Sequence, residues 1–126
     1  VWSSEWDVTD GRLNAWVHQR SCDVPLGLPF NVTQYSVLLY LLAHCTGLRP
    51  GTLDYSIKDA HIYTNQVDGV REQIRRFDEK GDYPAPKLWI NPEVRDFFAI
   101  DNSVELRDIR VEGYRHMGKI RFPIAQ

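Results

Sequence analysis

Residues 31–46 predict a helix that is apolar on nearly all of its faces. Its apolar positions are Val32, Tyr35, Val37, Leu38, Leu39, Leu41, Leu42 and Ala43. A helix without a polar face is buried in a folded protein, so the rest of the chain has to cover it. Asn31 suits the N-cap of this helix, and Gly47 follows its last predicted residue, Thr46.

Strand-like segments precede the helix. Trp2–Val8 and Arg12–Cys22 flank Thr9-Asp10-Gly11, and an Asp-Gly pair between two strands predicts a tight hairpin. Residues of the second strand alternate between two faces. One face carries Leu13, Ala15 and Val17, and the other carries Trp16, His18 and Arg20.

More strands and a second helix follow. Residues 48–52 (LRPGT) predict a turn, Leu53–Thr64 a strand, and Asn65 the cap of an amphipathic helix. That helix has Val67, Val70, Ile74 and Phe77 on its inner face and Arg71, Glu72, Arg75 and Arg76 on its solvated face. Residues 87–90 and 108–113 predict short strands, 91–93 a brief helix and 119–124 an extended segment. The predicted fold class is α+β.

Composition narrows the function classes. The chain has 126 residues, the size of one domain, and its 15 basic and 17 acidic residues give a net charge of −2. This balance gives no electrostatic reason to expect nucleic acid or an anionic membrane as a partner. The longest apolar run, Ser36–Cys45, is too short to cross a bilayer, and VWSSEWDV is unlike a signal peptide. We therefore expect a cytoplasmic protein.

The cysteines and histidines follow no metal-site pattern. Cys22 and Cys45 lack CxxC spacing, so they predict neither a disulfide framework nor a metal site, and each is interpreted as a small buried hydrophobe. His18, His44 and His116 fall in no recognisable motif. The sequence also contains no P-loop and no dinucleotide-binding fingerprint.

Two polar residues interrupt the apolar alternation of the strand over residues 53–64. A period of two places His61 and Tyr63 on one face, roughly 7 Å apart along the strand. Their polar tips are then able to converge on one small group. The same pattern also fits the end of a half-buried strand that emerges into water, and the spacing alone does not separate the two interpretations.

A second polar cluster lies in residues 19–31, QRSCDVPLGLPFN. Arg20 has a planar guanidinium suited to an anion, and Ser21 adds a hydroxyl beside it. Asn31 has the donor pair and the acceptor with which an amide reads the edge of a pyrimidine ring. It also suits a plain helix cap, and both interpretations stay open at this point.

Together, these segments resemble the folate-dependent thymidylate synthases. The resemblance rests on QRSCDVPLGLPFN, DAHIYTNQ at 59–66, the ending FPIAQ, and DVTDGRL, PKLWINPEV and VEGY between and before them. It implies the thymidylate synthase fold, a mixed β-sheet packed against a long buried helix. Residues 1–126 then correspond to the C-terminal half of one such domain.

The resemblance implies the reductive methylation of dUMP to dTMP. The co-substrate is 5,10-methylenetetrahydrofolate, no metal takes part, and the enzyme is a homodimer. The family's nucleophilic cysteine immediately precedes the position matching Val1, so we expect this chain to need its own N-terminal half and to be inactive alone. With half of the subunit missing, the helix and a sheet face are expected to be partly uncovered, which favours association.

Site residues are carried over position by position. Gln19 matches a residue beside the catalytic thiol, Arg20 and Ser21 match phosphate ligands, and Asn31 matches the amide that bonds the uracil edge. His61 and Tyr63 match the pair that holds the 3′-hydroxyl. Asp23 matches a carboxylate that contacts the folate and assists proton transfer, which makes Asp23 and Asn31 the catalytic candidates. The folate side is completed by Leu26, Gly27, Phe30 and Ala125.

Other functions and several departures are compatible with the same residues. A related deoxypyrimidine hydroxymethylase resembles this family but carries Asp where this chain has Asn31, so Asn favours dUMP. A non-catalytic nucleotide-binding remnant, or a fragment of a complete enzyme, is a further alternative. The departures from the family pattern are Val1, Glu5, Lys58, Gln66 and Gln126. Lys58 stands where the family usually has Gly, which raises a question about the backbone beside Asp59.

Overall fold

A three-stranded mixed sheet with one long helix packed on it dominates the structure, a computed structural model that describes residues 1–103, 105 and 107–124. The strands are β1 (Ser3–Thr9), β2 (Arg12–Asp23), β3 (Arg49–His61), β4 (Lys87–Ile90) and β5 (Ile109–Glu112). The α-helices are α1 (Gly27–Thr46) and α2 (Val67–Lys80), and short 3-10 helices cover Thr64–Gln66 and Phe97–Ala99. The predicted α+β class is confirmed.

The predicted hairpin is present. β1 and β2 pair antiparallel, with Thr9 opposite Arg12. Asp10 and Gly11 between them have φ angles of 51° and 71°, and a two-residue turn with both φ values positive matches the twist of the flanking strands. On β2, the inward residues Leu13, Ala15 and Val17 are buried as predicted.

β2, α1 and β3 form one β-α-β unit. β3 runs parallel to β2, in a register that places Ser21 beside Asp59 and Asp23 beside His61. Two parallel strands therefore end at the same edge of the sheet. The helix between them begins at that edge, at Gly27. This arrangement gathers polar residues from three elements into one region.

The predicted start of α1 at Asn31 is wrong. The helix begins at Gly27, with Leu26 at the N-cap, so Asn31 lies inside it and does not cap it. Pro29 is compatible with this start because the first turn of a helix has no partner for its N–H groups. The Asp23 Oδ1 atom accepts a hydrogen bond from the Leu26 N–H at 3.1 Å, just ahead of the helix. The other end is as predicted, with Gly47 left-handed at φ 71°.

The turn predicted over residues 48–52 is also wrong, because β3 already begins at Arg49. The pairing with β2 shifts between Leu13 and Ala15, where the sheet has an irregularity. There the Asn14 Oδ1 atom accepts from the Thr52 N–H at 2.9 Å. Gly51 leaves room for that side chain, since a Cβ on Gly51 would lie 2.1 Å from Asn14 Oδ1. Proline and glycine are tolerated in this strand because it is bulged there.

The end of β3 differs from the prediction as well. The strand stops at His61, and Tyr63 precedes the 3-10 helix Thr64–Gln66. Asn65 lies within that 3-10 helix, so the N-cap of α2 is Gln66 and not Asn65. A 3-10 turn here lets the chain reverse direction at the edge where β2 and β3 end.

The core lies between the sheet and α1. Leu13 and Ala15 of β2 pack with Leu39 and Ala43 of α1. Only Leu39, Leu41 and Ala43 of the helix are buried, so the full burial predicted from its apolar faces is wrong for the described chain, whereas the partial exposure expected of a half-subunit agrees with it. The apolar residues predicted at helical spacing do lie on α2, where Val67 and Val70 are partly buried. No residue of α2, which the structure describes throughout, is buried, and the side chains of Ile74 and Phe77 are about half exposed.

A second, two-stranded sheet of β4 and β5 is joined to the segment between them by a buried carboxylate. Asp108 accepts from the Asn91 side chain at 2.9 Å and from the Asp101 N–H at 2.8 Å. These bonds, with the nearby Arg107 guanidinium, lower the pKa of Asp108 to about 2. Asn91 also accepts from the Glu93 N–H at 3.1 Å and forms a turn, so the brief helix predicted over residues 91–93 is wrong. Residues 119–124 form neither helix nor strand.

Candidate active site

The candidate site lies at the edge where β2 and β3 end and α1 begins. Ser21 and Asp23 come from the end of β2, His61 from the end of β3, and Asn31 from the second turn of α1. Ligands of open sheets with parallel strands bind outside the carboxyl ends of those strands. The parallel pairing is thus what brings residues that are distant in sequence to one place.

One side of this edge is an open cavity of about 450 Å³. Its lining consists of Arg20, Ser21, Lys58, Asp59, His61 and Tyr63. The rings of His61 and Tyr63 meet edge to face with centroids 5.0 Å apart, although Tyr63 lies beyond the strand. His61 Nδ1 lies 3.5 Å from Asp59 Oδ1. The cavity combines two cations, a hydroxyl and the two polar rings with one carboxylate, Asp59, which lies against His61, and the excess of positive charge is compatible with a phosphorylated sugar.

Lys58 belongs to this lining although no role in binding was predicted for it. Its φ is not positive, and it continues β3 in regular pairing with β2, so the lysine does not disturb the backbone beside Asp59. Its ammonium group adds a second positive charge beside Arg20. In the sequence, lysine at a position where the family usually has glycine marked Lys58 as unusual. It did not indicate that the side chain would line the cavity.

The side chain of Asn31 has a defined orientation. The Gln19 side chain is buried, and its amide NH2 group donates to the Ser21 carbonyl at 2.9 Å and to Asn31 Oδ1 at 3.2 Å. A carbonyl only accepts, so the Ser21 contact identifies the Gln19 donor, which in turn places the Asn31 oxygen towards Gln19. The Asn31 NH2 group makes no hydrogen bond within residues 1–103, 105 and 107–124. Asn31 is therefore arranged to donate to a ligand.

Asp23 is held at both carboxylate oxygens. Oδ1 accepts from the Leu26 N–H at 3.1 Å, and Oδ2 accepts from the Gln66 side chain at 2.9 Å. Gln66 is fully buried and was absent from the predicted site residues. In the sequence, Gln66 stood out only as a departure from the family pattern. The polar stretch TNQ gives no indication that its glutamine is buried.

The residues assigned to the folate side lie around the start of α1, with one outside the described residues. A Cβ on Gly27 would lie 3.6 Å from Asn31 Oδ1 and 3.9 Å from the Asp23 Cβ atom, so Gly27 sits between these two side chains. Leu26 supplies the N–H that binds Asp23. Phe30 is 70% exposed. Ala125 lies outside the described part of the chain.

Cys22 lies beside the site but is not poised to react. Its side chain is buried, and burial raises the pKa of the thiol, with the Asp23 carboxylate raising it further. A thiol with a raised pKa stays protonated and is a poor nucleophile. Cys45 is half-buried on α1. These environments agree with the interpretation of both cysteines as packing residues.

The remaining titratable candidates have structural contacts. His18 lies 3.1 Å from Glu5, and His44 Nε2 donates to the Val94 carbonyl at 2.7 Å. Arg75 pairs with Glu72 and Glu79 on the solvated face, as predicted. Arg76 differs, because its guanidinium also binds the carbonyls of Met117 and Gly118. Within the residues that the structure describes, no cluster of His, Cys, Asp and Glu is suited to a metal ion, and no helix has the length and apolarity needed to span a bilayer.

Comparison with known proteins agrees with this arrangement. The profile of the family described as thymidylate synthase matches residues 1–126. The chain belongs to the thymidylate synthase family. A thymidylate synthase of Clostridium beijerinckii is 48% identical over 120 residues, covering 95% of this chain, and thymidylate synthase 1 of Bacillus subtilis is 39% identical over 125 residues. The resemblance inferred from the sequence is thereby confirmed.

Solved structures give the same answer for the fold. The thermostable thymidylate synthase A of Bacillus subtilis matches 96% of this chain with a TM-score of 0.85 and 38% identity. The thymidylate synthase fold predicted from sequence is confirmed. The chain spans 43% of the length of the Clostridium relative and 41% of the solved Bacillus chain. It therefore corresponds to a part of those thymidylate synthases.

Proposed function

We propose that residues 1–126 form the C-terminal half of a thymidylate synthase domain whose complete subunit methylates dUMP to dTMP with 5,10-methylenetetrahydrofolate. The orientation of Asn31 carries this proposal. Its amide NH2 group is available to donate to O4 of uracil, and the second lone pair of Oδ1 is available to accept from the N3–H. A uracil edge presents that acceptor and that donor side by side.

The cavity lined by Arg20 and Ser21 takes the rest of the nucleotide, and Gln19 links it to Asn31 by donating to both the Ser21 carbonyl and Asn31 Oδ1. Arg20 and Ser21 bind the 5′-phosphate, and the charge of Lys58 in the same lining adds to the attraction. His61 and Tyr63 bind the 3′-hydroxyl of the deoxyribose, since their rings already contact each other. Gln19 acts by holding Asn31, which distinguishes it from a residue that touches the nucleotide directly.

The folate side lies around the amino end of α1. Asp23 contacts the folate and assists proton transfer, and both of its oxygens are already oriented by the chain. Leu26, Gly27 and Phe30 form the adjoining wall, and the exposed ring of Phe30 offers a surface for an aromatic pterin. Ala125 completes this set.

The nucleophile belongs to the other half of the subunit. Cys22 has a raised thiol pKa and is buried, so it does not serve. The chain spans less than half of the Clostridium relative's length. The resemblance found in the sequence implies that the family's cysteine immediately precedes the position matching Val1. Residues 1–126 alone therefore bind parts of the substrates without turning them over, and the N-terminal half is their first partner.

The direct test is an assay of two proteins. The complete subunit is expected to produce dTMP and dihydrofolate from dUMP and methylenetetrahydrofolate, measured by the absorbance of dihydrofolate and by chromatography of the nucleotide. Residues 1–126 alone are expected to give no product. Production of hydroxymethyl-dCMP from dCMP would instead identify a hydroxymethylase, and nucleotide binding without turnover by the complete subunit would identify a non-catalytic binding protein.

The complete enzyme is proposed to be a cytoplasmic homodimer that binds neither nucleic acid nor membranes. Its sheet supports a dimer contact through an aromatic patch of Trp2, Trp16 and His18, whose rings lie 4.9 to 5.9 Å apart from one to the next. Trp2 is 73% exposed and Trp16 48% exposed, and exposed aromatic patches are typical of protein interfaces.

Replacing Trp16 with glutamate is expected to shift the complete subunit from dimer to monomer, because a charge would be buried at the contact. Sedimentation velocity over a range of concentrations measures the shift. Phe98→Glu is the matched control, since Phe98 is 92% exposed and lies outside the sheet. A monomeric wild-type subunit, or equal behaviour of the two variants, would contradict the proposed contact.

A further inference from the structure

The segment before the described end of the chain packs along α2. The Arg76 guanidinium donates to the carbonyls of Met117 and Gly118, both at 3.0 Å. Nearer the start of the helix, Gly69 faces the ring of Phe122, and a Cβ on Gly69 would lie 2.5 Å from that ring. Residues 117–124, called here the tail segment, therefore pack against the helix through specific contacts.

Gln66 joins this tail segment to the candidate site. It is fully buried, and its amide NH2 group donates to Asp23 Oδ2 at 2.9 Å and to the Pro123 carbonyl at 3.2 Å. Its Oε1 atom accepts from the Tyr63 N–H at 3.1 Å. Two acceptors face the NH2 group and one donor faces the oxygen, so only one orientation of the amide satisfies all three partners.

The three partners of Gln66 are parts of the site or adjoin it. Asp23 is the carboxylate assigned to the folate, Tyr63 lines the nucleotide cavity, and Pro123 belongs to the tail segment. Loss of the Gln66 amide would leave Asp23 Oδ2 and the Pro123 carbonyl without this shared donor. Buried acceptors that lose a donor destabilise the arrangement that holds them.

We propose that Gln66 is a positioning residue that aligns Asp23 with the tail segment and thereby sets the affinity for the folate. This inference rests on the proposed function, because it assigns Asp23 to the folate side. Gln66 does not touch substrate. It fixes the direction of one carboxylate oxygen and the position of one backbone carbonyl with a single amide.

Gln66→Glu in the complete subunit tests this role with almost no change of shape. The introduced carboxylate keeps an acceptor for the Tyr63 N–H but turns a second oxygen towards two other acceptors. The fully buried carboxylate at position 66 and the partly buried Asp23 carboxylate repel when both are ionised at hydrogen-bond distance, which favours a single shared proton. That proton restores the hydrogen bond between the introduced carboxyl group and Asp23 but not the one to the Pro123 carbonyl, so acidification is expected to repair the variant in part.

The expected result is a rise of about tenfold in the folate KM of the variant at about pH 8, with a smaller ratio to wild type near pH 6. The dUMP KM is expected to change by less than about twofold, because the phosphate and base contacts do not involve Gln66. Gln73→Glu is the matched control, an identical chemical change at an exposed position of the adjoining helix α2. An unchanged folate KM, or a rise with no dependence on pH, would overturn the proposal.

A second variant tests the contact between the tail segment and α2. A second measurement, hydrogen exchange, tests the same contact without turnover. Gly69→Ala pushes against Phe122 and is expected to raise the folate KM without the pH signature, because Gln66 and Asp23 remain as they are. Hydrogen exchange of residues 117–124 in the ligand-free complete subunit is expected to be faster in both variants than in wild type. Unchanged exchange in Gln66→Glu would overturn the link to the tail segment. A wild-type subunit that makes no dTMP would contradict the proposed function while leaving the exchange result intact.

Discussion

Asn31→Asp in the complete subunit is expected to lower kcat/KM for dUMP by about a hundredfold and to raise it for dCMP. Gln19 donates to Asn31 Oδ1, so the Asn31 NH2 group is left as the donor for O4 of uracil in the proposed binding mode, and the second lone pair of Oδ1 is left for the N3–H. Aspartate offers only acceptors, which repel O4 of uracil and suit the 4-amino group of cytosine. Steady-state kinetics with the two nucleotides in the same assay measures the change in preference.

The control for this change is Gln34→Glu, which makes the same conversion from amide to acid at an exposed position of α1. It is expected to leave the preference between dUMP and dCMP as in wild type. If Asn31→Asp also keeps that preference, Asn31 does not read the base, and the orientation imposed by Gln19 has only a structural purpose.

Arg20→Ala is expected to raise the KM for dUMP by about a hundredfold, since a charge-assisted contact to phosphate is lost. Arg20 is exposed in the cavity lining and forms no hydrogen bond or ion pair with any residue in the described ranges, so its guanidinium is available to a ligand. Lys58 remains in the same cavity and keeps part of the attraction. The loss is therefore expected to be partial, and Arg20→Lys is expected to recover some of it.

The nucleoside separates a phosphate effect from general damage. Competition by deoxyuridine, which has no phosphate, is expected to be equal for wild type and Arg20→Ala. Arg12→Ala is the matched control, because Arg12 is an exposed arginine at the opposite end of β2. Equal losses for dUMP and deoxyuridine would show that Arg20 supports the fold of the site and not the phosphate.

Local features of the fold were predictable from the sequence. The Asp10-Gly11 hairpin, the Gly47 helix end and the alternation of Leu13, Ala15 and Val17 each depend on neighbours in the chain. The early start of α1 was not, because proline and glycine are usually breakers, yet the first helical turn accepts them. The start of β3 was missed because Asn14, 38 residues from Thr52, supplies an acceptor to the bulge.

The candidate site was predictable in part for the same reason. His61 and Tyr63 were paired by spacing, and they do meet, although the chain has left the strand before Tyr63. The cap at Asn31 is excluded by the start of α1 at Gly27, and the orientation of the Asn31 amide depends on Gln19, a contact between two elements that the sequence does not show. The role of Gln66 could not be predicted from the sequence, because its partners Asp23 and Pro123 lie 43 and 57 residues away along the chain.

The bulge at Asn14 and Gly51 has a consequence for the opposite end of the sheet. Side chains of a strand alternate between faces, so a slip of one residue between β2 and β3 would turn His61 away from Asp23. The same slip would turn Leu53 of β3 away from the core of Leu13, Ala15, Leu39 and Ala43, so both the core and the cavity depend on this register. A Cβ on Gly51 would lie 2.1 Å from Asn14 Oδ1 and 2.7 Å from the Leu13 carbonyl oxygen, so the bulge in its observed form requires glycine at this position. We therefore expect a larger side chain at Gly51 to disturb the cavity of Arg20 and Ser21 from the opposite end of the same strands.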